Sequence, residues 1–225
     1  MKKINGDLTF EEMSSEMSDI LNGKNNDDEI AEFLRSLSEK GETDEELRAM
    51  LTKMNEHSVR ISPRCHGRLI DVCGTGGDNL QTFNISTAAS FVIAGAGGNV
   101  AKHGNRSVSG ISGSADIFEY FGFNLQSETC VAEEMIEKLG IGFMFAPTFH
   151  PAMKNVALAR KILGKRTAFN LLGPLCNPAN VKHQLIGVFA DDYIKRIVMI
   201  MKKNHSETIL AVRSEDGMDE LTTTS

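Results

Sequence analysis

"DVCGTGGDNLQTFNISTAAS", residues 71–90, sets three glycines, an aspartate and a run of hydroxyl and amide side chains between two apolar segments. Gly74, Gly76 and Gly77 allow backbone angles closed to other residues, so successive N–H groups can converge on one cluster of oxygens. Asn84, Ser86 and Thr87 fall at the expected start of a helix, where unpaired N–H groups and the helix dipole favour an anion. Asp78 inside the loop suits a phosphate accompanied by a ribose hydroxyl or a divalent cation, so a sugar phosphate or diphosphate with Mg²⁺ fits best. Two common phosphate motifs do not match. A dinucleotide-binding fingerprint needs glycine where Asn79 stands, and a P-loop needs a lysine after its glycines. A ligand-free strand-to-helix turn is the remaining alternative.

Working outward, the loop sits inside an alternation of strand-like and helix-like segments. LIDVC (69–73) precedes it and STAASFVIAGAG (86–97) follows as a helix. NVAKHG, IGFMFAP, TAFNLLGP, HQLIGVFA and TILAVRS are further apolar runs of strand length. Helical patterns lie at 114–121, 128–139, 151–163 and 191–203. Such alternation predicts an α/β fold, a largely parallel sheet flanked by helices on both faces. In these sheets ligands sit at the carboxyl ends of the strands, where the glycine loop falls.

Residues 1–60 differ. Phe10, Met13, Met17, Ile20 and Leu21 share one helical face; so do Ile30, Phe33, Leu34 and Leu37, and again Leu47, Met50, Leu51 and Met54. Thr9 with Glu12 and Thr43 with Glu46 have capping-box spacing, and Lys40-Gly41 closes the second helix. Three amphipathic helices of this kind form a smaller all-helical domain, a dimer interface, or both.

The remaining totals bound the function. A net charge of −6 lacks the basic face of a nucleic-acid or membrane-surface binder. No apolar run approaches the roughly 20 residues of a membrane span, and the N-terminus has no secretory apolar stretch. Cys65, Cys73, Cys130 and Cys176 are scattered without a CxxC, as expected of reduced thiols in a cytoplasmic protein.

A second cluster strengthens the anion reading. AKHGNRSVSGISGSAD (101–116) follows the next strand and brings Lys102, His103, Asn105 and Arg106 together with serines and glycines. A buried strand has little use for such groups unless they meet a partner. Two cradles after two successive strands suit a diphosphorylated sugar. In GMDEL, Asp219 and Glu220 follow the last strand, where a pair of carboxylates can hold Mg²⁺ beside phosphate oxygens.

In this order, GTGGD (74–78), TFNISTA (82–88), VAKHGNRSVS (100–109), SGSAD (112–116), FAPTFHPAMK (145–154), RTAFNLLGPLCNPA (166–179) and GMDE (217–220) resemble the anthranilate phosphoribosyltransferases of tryptophan biosynthesis. GTGGD is shared with wider relatives such as pyrimidine nucleoside phosphorylases; KHGNRSVS with FNLLGPL and NPA is more specific. The resemblance implies a helical domain of residues 1–66 plus about 149–165, and an α/β phosphoribosyl-binding domain of 67–148 plus 166–225. It implies transfer of the phosphoribosyl group from phosphoribosyl diphosphate (PRPP) to the amine of anthranilate, two Mg²⁺ ions and a homodimer through the helical domain. It names no anthranilate synthase partner. Family members continue well beyond GMDE, so the expected sheet is incomplete at its carboxyl end. Two further readings remain open: a related nucleoside phosphorylase-type enzyme with another acceptor, or a non-catalytic PRPP-binding remnant.

Position by position, the resemblance places PRPP on Gly74, Gly77, Asp78 and Thr82, and on Asn84, Ile85, Ser86 and Thr87. It continues through Lys102, His103, Gly104, Asn105 and Arg106 to Ser107, Val108, Ser109 and Gly110, with Ser114. Ser86, Asp219 and Glu220 become the Mg²⁺ ligands. Anthranilate falls to Gly74, Asn105 and Arg160, with His150 nearby and Gly173-Pro174 at the entrance. No acid or base is assigned, because an aromatic amine is largely unprotonated at neutral pH; His103 and Asn105 act as positioners. The sequence departs from the family at Asn79, Gly110-Ile111 and Phe149.

Overall fold

The computed structural model describes residues 4, 6–76, 82–107 and 112–223. Gly77, Asp78, Val108, Ser109 and Gly110, with the departures Asn79 and Ile111, lie outside the described residues. In chain order the elements are α1 (Phe10–Leu21), α2 (Asp27–Lys40), α3 (Asp44–Glu56), β1 (Leu69–Gly74), α4 (Ile85–Gly95) and β2 (Asn99–Gly104). Then come α5 (Ser114–Tyr120), α6 (Thr129–Leu139), β3 (Ile141–Phe145), α7 (Ala146–Phe149) and, after a 3₁₀ turn at Pro151–Met153, α8 (Lys154–Leu163). Next is α9 (Ala168–Leu172), continued by a 3₁₀ turn at Gly173–Leu175. β4 (His183–Gly187), α10 (Asp191–Lys203) and β5 (Thr208–Val212) complete the order. Two compact units result, Met1–Ser58 with His150–Cys176, and Val59–Phe149 with Asn177–Ser225.

In the helical unit, α1, α2 and α3 each open with a reciprocal capping box, at Thr9/Glu12, Asn26/Glu29 and Thr43/Glu46. The Asn26 box has the same spacing and was not singled out from sequence. Gly41, at φ 83°, stops α2 as expected. Apart from the half-buried Phe10, the apolar stripes are buried throughout, so their first role is core packing. Glu46 is fully buried. Its Oε1 accepts the Leu8 amide at 2.9 Å, while Oε2 accepts the Thr43 amide at 2.7 Å and the Lys40 ammonium at 2.9 Å. Glu46→Ala removes the cap and leaves a buried N–H and a largely buried ammonium without this partner. It is expected to cost about 2–4 kcal/mol in urea unfolding. A loss below about 1 kcal/mol would show the carboxylate to be replaceable.

The run TAFNLLGP was expected as a strand and is instead α9 with its 3₁₀ continuation. Thr167 starts the helix by donating its amide to Asn170 Oδ1 at 3.0 Å, and Ala168, Phe169, Leu171 and Leu172 are all buried. A short apolar run with no polar face gives no period, so its contacts decide its form. Those contacts are with α3, which draws residues 166–176 into the helical unit rather than the α/β half expected for them. The opposite shift occurs at 59–66. The Ser62 and Arg64 amides donate to Glu133 Oε1 and Glu137 Oε1 on α6, at 3.0 and 2.7 Å, and Ile61 joins the core there.

The α/β unit holds a five-stranded sheet in the order β3-β2-β1-β4-β5, with every neighbouring pair parallel. Strand alternation separates two cores. Val100 and Phe143 pack with Ala115 and Phe118 of α5, while Ala101 and Met144 pack with Ala132 and Ile136 of α6 and with Phe149. The order sets β1 and β2 side by side, so their two exit loops are neighbours. Coverage of both faces, expected from the alternation, is incomplete at the edge strand β5, where Leu210 is 53% exposed. All four cysteines are free thiols. Among the described residues no helix is long and apolar enough to cross a membrane.

Candidate functional site

The first loop leaves β1 at Gly74. A Cβ there would stand 3.2 Å from Asp219 Oδ2, and the same carboxylate oxygen accepts the Gly76 amide at 3.1 Å. Gly76 has φ 63°, a conformation that favours glycine. Thr75 ties the loop to the exit of β4: its amide donates to Gly187 O at 2.9 Å and its Oγ1 accepts the Phe189 amide at 3.0 Å. Thr82 is exposed just before α4. Unlike α1–α3, α4 has no acidic residue in its first turn, and among the described residues no side chain caps it. The Ile85 amide already donates to Phe83 O at 2.8 Å, so it is the N–H groups after it in this turn that favour an anion. The N-cap residue Asn84 turns its amide to Ser112 Oγ, 3.0 Å away in the second loop.

The second loop leaves β2 at Gly104, and its described far end is Ser112 and Gly113, ahead of α5. Asn105 O accepts the Ala115 amide at 3.2 Å, and Asn105 Oδ1 accepts the Arg106 amide at 2.8 Å. A Cβ on Gly113 would overlap the backbone of Asn105–Ser107, so only glycine lets the two ends of the loop meet. Arg106 turns away to α5, donating to Asp116 at 2.7 Å and Glu119 at 2.8 Å. The Gly113 amide, followed by Arg106, holds the Asp116 carboxyl below its ordinary value. The loops are cross-braced by Asn84–Ser112 and by Thr87 Oγ1 donating to Ser114 Oγ at 3.1 Å.

Lys102 lies under this junction and is only 1% exposed. Its ammonium donates to Val72 O at 2.6 Å and to Ser86 Oγ at 3.4 Å, which joins β2 to β1 and to the first turn of α4. Burial lowers its pKa, while Asp71 and then Glu220 act to raise it. His103, on the opposite face of β2, is buried with its amide 3.4 Å from Asp71 Oδ1. Sequence reasoning passed over Asp71, Asn177 and Gln184, which form a buried hydrogen-bonded group beside these residues. The available signal was a carboxylate inside the otherwise apolar LIDVC.

Asp219 and Glu220 come to the same end of the sheet. The Asp219 carboxylate reaches Gly74 and Gly76, and Glu220 acts on Lys102 and Cys73. Ser214 Oγ donates to Glu220 O at 2.5 Å, closing the turn that carries both. Among the described residues no group of three His, Cys, Asp or Glu could hold a metal. Two carboxylates nevertheless suit Mg²⁺, which keeps several waters and completes its octahedron with phosphate oxygens. The Ser86 hydroxyl, the third residue matched to the metal, accepts from the Lys102 ammonium at 3.4 Å.

The other candidates sit on the helical unit. The Arg160 guanidinium, on α8, stands 5.7 Å from the Phe169 ring centroid, and burial lowers its pKa. Among the described residues no carboxylate pairs with it. His150 is buried and donates from Nε2 to Cys176 O at 3.0 Å. Gly173 and Pro174 form the 3₁₀ turn directly after the helix that carries Phe169. Gly74 and Asn105 belong to the α/β unit, so the residues matched to anthranilate are divided between the two units.

Comparison with known proteins follows the same division. Residues 66–225 match the model of the "Glycosyl transferase family, a/b domain", and residues 2–58 match that of the "Glycosyl transferase family, helical bundle domain". An anthranilate phosphoribosyltransferase from Nitrosopumilus maritimus is 62% identical over 97% of this chain and 63% of its own length. The crystal structure of the Thermus thermophilus anthranilate phosphoribosyltransferase matches with TM-score 0.88 and 38% identity, over 96% of this chain and 65% of that one. The Saccharomyces cerevisiae enzyme in complex with PRPP and Mg matches with TM-score 0.84 and 27% identity, over 95% of this chain and 63% of that one. The chain thus spans just under two thirds of the length of the relatives it matches. With its α/β unit and its N-terminal helices each matched by a model of the same family, the chain belongs to the glycosyl transferase family.

Proposed function

We propose that this protein transfers the 5-phosphoribosyl group from PRPP to the amine of anthranilate and releases pyrophosphate, as an anthranilate phosphoribosyltransferase in tryptophan biosynthesis. The observation that carries this reading is the pair of cross-braced loops on adjacent parallel strands, with the uncapped start of α4 and the buried Lys102 beneath them. Two anion cradles with a cation at their base suit a sugar with phosphate at one end and diphosphate at the other. The names of the similar proteins, one of them solved with PRPP and Mg, support the same substrate.

The first loop and the start of α4 bind the diphosphate through backbone N–H groups, with Lys102 supplying fixed positive charge. Asn84, Ile85, Ser86 and Thr87 line this part, and Gly104, Asn105, Ser107 and Ser114 line the neighbouring one. Arg106 contributes backbone only, its guanidinium being engaged by Asp116 and Glu119. Asp219, Glu220 and Ser86 would hold Mg²⁺, and the ion would supply neutralising charge for the leaving diphosphate. Asn105 and His103 position the reacting groups, and no side chain is needed to deprotonate the amine. On the helical unit, Arg160 takes the anthranilate carboxylate, with His150, Gly173 and Pro174 beside it; a half-buried guanidinium facing an aromatic ring suits an aromatic acid. The resemblance extends this reading to two Mg²⁺ ions, a homodimer through the helical unit and a cytoplasmic location.

Mixing the 225-residue chain with PRPP, Mg²⁺ and anthranilate should produce Mg²⁺-dependent loss of anthranilate fluorescence. PRPP binding without that loss would leave a binding protein rather than a transferase. Arg160→Ala is expected to raise the anthranilate KM about ten- to a hundredfold, with PRPP affinity kept. Arg160→Lys should recover only part, because an ammonium lacks the planar fork. An unchanged anthranilate KM would remove Arg160 from the acceptor site.

A further inference from the structure

Asp116 is the third residue of α5 and is not one of the candidate ligand contacts, yet it holds both described ends of the second loop. Its Oδ2 accepts the Gly113 amide at 2.6 Å and the Ser107 amide at 3.5 Å, and its Oδ1 accepts the Arg106 guanidinium at 2.7 Å. Glu119, one turn further along α5, accepts the same guanidinium at 2.8 Å. Gly113, the residue before the helix, has no side chain to satisfy its free N–H groups, and Asp116 reaches back to do so. The ends it joins are in close approach. Asn105 O accepts the Ala115 amide at 3.2 Å, and a Cβ on Gly113 would stand 2.3 Å from the Ser107 nitrogen.

This placement of charge separates the two helix starts at the site. The first turn of α4 has no acidic residue, whereas that of α5 carries Asp116. The anion that the start of α5 favours is thus supplied by the chain itself, and the Arg106 guanidinium offsets its charge. A bare carboxylate two residues from Ser114 would repel a phosphate; clasped between an amide and a guanidinium, it becomes a fixed point. From that point Ser112 and Ser114 are held toward α4. Ser112 Oγ accepts the Asn84 side-chain amide at 3.0 Å, and Ser114 Oγ accepts the Thr87 hydroxyl at 3.1 Å.

We propose that Asp116 is a positioning residue for the phosphoribosyl end of PRPP: by clasping Arg106, Ser107 and Gly113 it fixes Asn105 and Ser114 as one edge of the second cradle, without touching the ligand itself. The proposal rests on the PRPP reading of this site, in which the first loop and α4 take the diphosphate. Its physical content is preorganisation, because loop ends tied together beforehand lose less conformational freedom when the ligand arrives.

The test compares wild type, Asp116→Ala, Asp116→Asn and Glu119→Gln by calorimetry, titrating PRPP with Mg²⁺ and, separately, pyrophosphate with Mg²⁺. Asp116→Ala is expected to weaken PRPP about ten- to thirtyfold while changing pyrophosphate, which lacks the phosphoribosyl end, by less than about threefold. Asp116→Asn leaves one oxygen for the Gly113 amide and should give the same selective loss to a smaller degree, so the idea stays testable if the alanine variant does not fold. Glu119→Gln leaves Asp116 clasped and should stay within about twofold of wild type for both ligands. Equal weakening of PRPP and pyrophosphate would reduce Asp116 to a structural residue and overturn the proposal. A loss in Glu119→Gln as large as in Asp116→Ala would trace the effect to the charge around Arg106 and overturn it as well. Unchanged PRPP affinity in Asp116→Ala would overturn it while leaving the PRPP reading standing. Absence of PRPP binding by wild type would overturn both.

Discussion

Lys102→Met should cost the α/β unit about 1–3 kcal/mol and abolish measurable PRPP binding. The ammonium is buried and donates to Val72 O and Ser86 Oγ. Methionine fills much the same volume, so the loss comes from charge rather than from a cavity. It leaves the buried Val72 carbonyl without its ammonium donor and removes the charge that most favours an ionised Asp71. Adding Asp71→Asn to Lys102→Met removes both charges and should return part of the lost stability, whereas PRPP binding should not return. Urea unfolding of the two single variants and the double gives the coupling directly. Strict additivity would mean that the two charges do not interact. A loss in Lys102→Met below about 1 kcal/mol would mean that water reaches the site and the burial is not energetically felt.

The second large effect concerns Gly187, at the end of β4. A Cβ there would overlap the carbonyl oxygen of Asp219, with the carbonyl carbon 2.9 Å away and the Asp219 Cβ 3.5 Å away. Neighbouring backbone has to move, and backbone yields less readily than the tip of a side chain. Gly187→Ala should therefore displace the turn bearing Asp219 and Glu220 from Gly74 and Gly76. A stability loss of about 1–3 kcal/mol is expected from overpacking. The half-saturating Mg²⁺ concentration for PRPP binding should rise about tenfold. A Mg²⁺ dependence equal to wild type would mean either that the turn stays in place or that the two carboxylates do not hold the ion. Asp219→Asn then separates the explanations, because it removes charge without moving the turn.

The candidate site was legible in the sequence to the extent that its function lies in the backbone. Gly74, Gly76 and the Asn84–Thr87 run are marked by glycine spacing and by residues that start helices, both written locally, whereas the turn of Asn84 to Ser112 instead of capping α4 is not. Side-chain partners were less legible. Arg106 reads as an anion ligand beside Lys102, yet the first turns of α5 bring Asp116 and Glu119 to it. Asp71 reads as an oddity within an apolar strand, and its role depends on Asn177 and Gln184, over a hundred residues further on.

By itself the sequence determined the three amphipathic helices, two of them with their caps, the alternation of strands and helices around a parallel sheet, and the two loops at its carboxyl end. Each rests on a period, a cap or a glycine within a few residues, and local backbone preferences suffice for them. Only the tertiary structure decided that TAFNLLGP is α9 rather than a strand and that residues 166–176 join the helical unit while 59–66 join the sheet. It alone decided that Asp71 is met by Asn177 and Gln184 and that Lys102 reaches Val72 and Ser86. An apolar run without a polar face carries no period, and a buried charge is stable only beside partners supplied by other strands. Both are settled by contacts between residues far apart in the chain.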